Sequence, residues 1–130
     1  MVKVNATINA LHYKTEITSG SNKIISDETI MHGGNAEGFT PEELLCASLA
    51  SCTTITLRMY ADRKEWPLEK LDVEVTFERD EEKSISFINR KIHFSGDLSI
   101  EQKQRLLVIA DKCPIHKTLS NPITITTFEL

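Results

Sequence analysis

Apolar and polar positions change period several times along the chain, and the changes mark its elements. Val2, Val4, Ala6, Ile8 and Ala10 alternate with Lys3, Asn5, Thr7 and Asn9, the period of a half-buried strand. Leu11 to Ile17 continues as a second strand. After the turn cluster Ser19-Gly20-Ser21-Asn22, Lys23 to Asp27 reads as a third, so the start of the chain predicts an antiparallel meander. A loop with three glycines follows from Glu28 to Phe39. Thr40-Pro41-Glu42-Glu43 then opens a helix: Thr40 is a good N-cap, Pro41 suits the first helical position, and Glu43 completes a Thr-x-x-Glu capping box. No charged side chain occurs from Leu44 to Leu57, and Ala47, Ser48, Ala50 and Ser51 are small, which predicts a helix covered on most sides. The helix should stop before Trp66-Pro67, because proline disfavours helical geometry in the residue ahead of it.

Beyond that point Leu71, Val73, Val75 and Phe77 alternate with Asp72, Glu74, Thr76 and Glu78, a strand with one wet face. The acidic run Glu78 to Glu82 fits a solvated hairpin tip. On the return strand, Ser84 to Phe94, Ile85 and Phe87 stand in one phase and Ile88, Ile92 and Phe94 in the other, so a bulge is expected near Phe87. Ser99 with Gln102 caps a second helix running to about Lys112, with Leu106, Ile109 and Ala110 inside. Cys113-Pro114 interrupts it, a helical turn covers Ile115 to Leu119, and Ile123 to Phe128 reads as a last strand. The expectation is an α+β fold in a single domain, residues 1–130.

Composition narrows the function classes. The 130-residue chain can bury a core without disulfide staples, and its net charge of −4 with scattered Lys and Arg argues against a nucleic-acid or anionic-membrane surface. No signal-peptide pattern opens the chain and no run of membrane-spanning length is expected, so the predicted location is cytoplasmic. Three cysteines without an export signal point to thiol chemistry or buried thiols rather than a disulfide framework.

The segment Thr-Pro-Glu-Glu-Leu-Leu-Cys-Ala-Ser-Leu-Ala-Ser-Cys, ending at Cys52, and the later Cys113-Pro-Ile-His-Lys-Thr-Leu together resemble the OsmC/Ohr family, the osmotically inducible and organic-hydroperoxide-resistance proteins. The likeness covers nearly the whole chain in element order. It implies an intertwined homodimer that reduces organic or lipid hydroperoxides in protection against oxidative stress, with Cys52 as peroxidatic and Cys113 as resolving cysteine. It also implies a role for the motif carboxylate Glu42, and an external dithiol reductant of lipoyl type with no bound cofactor. The chemistry of the residues agrees: a thiolate attacks the peroxide bond, and a second thiol traps the sulfenic acid before overoxidation. The plain alternative is a pair of ordinary buried thiols.

Glu42 stands ten residues before Cys52, about 15 Å along an unbroken helix, so it serves Cys52 only if the helix kinks or if a second subunit supplies it. Its bland reading is a first-turn acid that favours the helix dipole. Cys46 lies about 120° around the helix from Cys52 and is assigned to packing. Peroxidase members of the family carry an arginine near the reactive thiol. Here the first arginine is Arg58, which points about 120° away from Cys52, and the position expected for the family's arginine, counted back from Pro41, holds His32. Loss of the arginine leaves a second reading open, a non-catalytic family member that binds a small apolar or thiol-reactive ligand. Cys113 and His116 share a face, yet no paired Cys-x-x-Cys or His-x-x-x-His anchors a metal, and none is expected. His116 is expected to cap a turn or help to hold Cys113 as a thiolate.

Overall fold

A computed structural model describes residues 1–130 and divides them into two compact units, residues 1–45 and 46–130. In the first, β1 (Asn5–Thr7), β2 (Thr15–Ser19) and β3 (Asn22–Ser26) form the expected meander, antiparallel in the order β1-β2-β3. β1 is far shorter than its alternating pattern suggests, and Val2, Val4 and Ile8 are exposed because nothing in the chain covers that face. His12, expected in a strand, lies instead in a bend with its ring stacked on Tyr13.

The glycine loop is organised by Asp27, which is only 2% exposed. Its carboxylate accepts the backbone N–H groups of Glu28 at 2.7 Å, Glu37 at 3.1 Å, Tyr13 at 3.2 Å and Asn35 at 3.3 Å. Burial alone raises its pKa, but these four donors outweigh that and hold it below the usual carboxylate value. Gly38 has a reason of its own: a Cβ there would sit 2.0 Å from the Ile25 carbonyl oxygen. The loop also contains a short 3-10 turn, Ile30–His32.

α1 (Pro41–Arg63) starts as its capping box predicts. The Glu43 N–H donates to Thr40 Oγ1 at 3.2 Å, and the Thr40 N–H to Glu43 Oε1 at 3.4 Å. By length and composition it is long and apolar enough to cross a membrane, contrary to the expectation that no run reaches that length. Leu49, Thr53, Leu57, Tyr60 and Ala61 form its buried stripe, while Leu45, Ile55 and Met59 are exposed. Covering on most sides is therefore not achieved within one chain.

In the second unit β4 (Lys70–Asp80) pairs with β5 (Ile85–Ser95) in one continuous antiparallel register, from Lys70 opposite Ser95 to Asp80 opposite Ile85. The expected bulge near Phe87 is absent. Ile85 and Phe87 simply lie on the outward face near the hairpin tip, so no change of inner face needs explaining. α2 (Ile100–Ala110) begins with the predicted Ser99–Gln102 box and buries Leu106, Ile109 and Ala110. Leu57, Tyr60, Leu106, Ile109 and Ala110 form the core, with Trp66, Leu71, Ile92, Phe94 and Leu98 packed on it. α3 (Pro114–Leu119) follows at once. Residues 123–128 form no strand, since a ladder needs a neighbour and the chain offers none; Ile123, Ile125 and Phe128 are left exposed.

Candidate active site

The two cysteines to which the family resemblance points come together inside the second unit. Cys52 sits midway along α1, partly buried. Cys113 is fully buried and serves as N-cap of α3, its Sγ accepting the His116 backbone N–H at 3.3 Å. The cap thus runs opposite to the expectation that His116 would cap a turn. The two thiols lie within hydrogen-bonding reach, and both are free.

Their environments push them apart. Burial by itself raises the Cys52 thiol, but the Ile115 backbone N–H, the Cys113 thiol, the Thr56 hydroxyl and the positive charge of Arg90 outweigh it. Cys52 therefore ionises below the ordinary thiol range. For Cys113 burial is again the largest influence, and proximity to Cys52 adds to it, so despite the His116 N–H its pKa is raised. The His116 N–H works against that rise without offsetting it. The two shifts run in opposite directions: the surroundings favour the Cys52 thiolate and disfavour that of Cys113.

The cation is one that spacing did not find. Arg90 projects from β5 in the same phase as Ile88, Ile92 and Phe94, and its side chain is 10% exposed. It donates to Thr53 Oγ1 at 3.0 Å, to Asp111 Oδ1 at 2.9 Å and to His116 Nδ1 at 3.2 Å. A charged residue in an otherwise apolar strand phase was the available signal. Arg58, by contrast, is engaged by Asp62 at 3.0 Å and by the Leu68 carbonyl at 2.7 Å.

Beside Arg90 lies a cavity of about 390 Å³ lined by Leu49, Ile88, Asn89, His116 and Ser120 among others. His32 and Glu42 belong to the first unit, where both are exposed and line a cavity of about 610 Å³ together with Tyr13, Glu28, Thr40 and Glu43. His32 Nδ1 is 2.9 Å from Thr29 Oγ1. Cys46 is half-buried. No group of three or more His, Cys, Asp or Glu side chains is arranged to hold a metal ion.

The sequence profile of the OsmC-like protein family matches residues 33–128. The chain belongs to that family. Among solved structures, an OsmC-like protein from Mycoplasma pneumoniae is 25% identical, with 92% of this chain and 87% of that one covered at a TM-score of 0.79. The organic hydroperoxide resistance protein OhrB of Bacillus subtilis, 24% identical, covers 91% of this chain and 89% of its own, at a TM-score of 0.61. An organic hydroperoxide resistance protein OsmC from Legionella pneumophila, 23% identical, covers 92% and 88% at 0.68. No curated protein matches the sequence. The OsmC-like α+β fold is thus established for this chain, whose elements up to α3 follow the expected order, without the strand expected after it.

Proposed function

We propose that this OsmC-like protein is a thiol peroxidase for organic hydroperoxides. The observation that carries the reading is the Cys52–Cys113 pair, two free thiols in reach of each other with oppositely shifted pKa values. The names of the Legionella and Bacillus relatives point the same way. The Cys52 thiolate attacks the terminal oxygen of ROOH, the O–O bond breaks, and RO⁻ leaves to take a proton as ROH. Cys52 is left as a sulfenic acid. The Cys113 thiol gives up its proton and attacks that sulfur; the disulfide forms and water leaves. Two electrons and two protons from an external dithiol, of lipoyl type, then restore both thiols by exchange.

The reading extends to a cytoplasmic homodimer acting in oxidative-stress protection. The exposed Leu45, Ile55 and Met59 of α1 and the unpaired apolar residues after Asn121 support a second copy. In that assembly Glu42 and His32 serve the thiol pair of the other copy, which answers the ten-residue separation along α1. The test is consumption of cumene hydroperoxide with dihydrolipoamide as reductant. Cys52→Ser should abolish turnover, and unchanged consumption would overturn the reading.

A further inference from the structure

We propose that Asp111 is a positioning residue that fixes the Arg90 guanidinium on Thr53, the neighbour of Cys52 along α1. The inference rests on the peroxidase reading for its purpose, but its geometry stands independently. Arg90 is nearly buried, and Asp111 is the only carboxylate that pairs with it. Its other two partners, the Thr53 hydroxyl and the His116 ring, bring no negative charge, and His116 Nδ1 also lies 3.8 Å from Asp111 Oδ1. Thr53 Oγ1 gives its own proton to the Leu49 carbonyl at 2.7 Å, so it meets Arg90 with a lone pair. His116 Nδ1 likewise accepts, because a guanidinium has no acceptor to offer.

Asp111 itself is held firmly. It is the C-cap of α2, directly after the buried Ile109 and Ala110, and its backbone N–H bonds to the Val108 carbonyl at 3.2 Å. Its position is therefore set by the core rather than by the ion pair. Three elements converge on one side chain from β5: α1 through Thr53, the end of α2 through Asp111, and α3 through His116. Two of these elements also carry the sulfur atoms, since Thr53 follows Cys52 and His116 donates to Cys113. Asp111 supplies the charge that keeps a desolvated cation in this place, and a charge-assisted bond of 2.9 Å is the strongest of the three contacts.

The sign of the effect separates this role from a bystander's. A carboxylate acting on Cys52 only by its own negative charge disfavours the thiolate, so its removal should lower the thiol pKa. A carboxylate acting through Arg90 does the reverse. The experiment is the pH profile of Cys52 alkylation by iodoacetamide in full-length protein carrying Cys46→Ser and Cys113→Ser, with and without Asp111→Ala.

The expected result is a midpoint displaced to higher pH, with about threefold to tenfold less thiolate at neutral pH, since one unit is a factor of ten. Asp111→Glu should restore most of it. In an Arg90→Met background Asp111→Ala should shift nothing further upward. A midpoint that stays in place or falls overturns the proposal, as does an equal upward shift without Arg90. Asp111 is 67% exposed, so the fold should tolerate the change; should alanine fail to fold, Asp111→Asn, read in the same way, takes its place. Alkylation requires no turnover. A raised midpoint together with no hydroperoxide consumption by the parent protein, all three cysteines intact, would sink the peroxidase and leave the Asp111 role standing; normal consumption by the parent with an unmoved midpoint would do the opposite.

Discussion

The Arg90 guanidinium donates to the Thr53 hydroxyl at 3.0 Å, and Thr53 is the residue that follows Cys52 on α1. A strand that otherwise turns Ile88, Ile92 and Phe94 inward thus delivers one positive charge to the helix bearing Cys52. Replacing Arg90 by Met should keep much of its packing while removing the charge. The prediction is a higher Cys52 pKa and a second-order rate with alkyl hydroperoxide reduced about tenfold or more at neutral pH. Arg90→Lys should recover only part, because an ammonium lacks the planar fork that reaches Thr53, Asp111 and His116 together. Stopped-flow rates against pH measure both.

Cys113 has a structural duty as well as the chemical one proposed for it, and serine separates the two. Serine is a strong N-cap residue, so Cys113→Ser should keep α3 in place through the His116 N–H. One equivalent of hydroperoxide should still be reduced. Recycling should stop, with a sulfenic acid persisting on Cys52 that dimedone captures and mass spectrometry locates. Sustained turnover with dithiol in this variant would show that Cys113 is not the resolving thiol.

Much of this arrangement was legible in the sequence because it is local. The Thr40–Glu43 and Ser99–Gln102 boxes and the alternation of Leu71 to Phe77 depend on neighbours a few residues away, and each appears as expected. What spacing missed depends on distant packing. Arg90 reaches Cys52's helix through Thr53, 37 residues away in sequence, and no local spacing around Cys52 encodes that contact. The strand expected over Ile123–Phe128 needs a neighbouring ladder, and alternation alone does not supply one. The change of apolar phase near Phe87 suggests a bulge, but two exposed side chains at a hairpin tip produce it equally well.

Asp27 makes a pH prediction whose sign follows from its environment. Its folded pKa lies below the unfolded value, so its contribution to stability is present above the ordinary aspartate range and is lost as pH falls through the folded value. Asp27→Asn removes the charge that gathers the N–H groups of Tyr13, Glu28, Asn35 and Glu37. It should lower Tm at pH 7 and leave a shallower loss of Tm on acidification than the parent shows. Thermal melts at a series of pH values below neutrality check this, and parallel curves for the two proteins would contradict it.

The central claim is that Cys52 and Cys113 form one redox couple. Its most direct measurement is peptide mapping by mass spectrometry, without reductant, after one equivalent of cumene hydroperoxide per chain. A disulfide joining the Cys52 and Cys113 peptides, with Cys46 still a free thiol, is the predicted result. Three unmodified thiols and undiminished hydroperoxide would contradict it.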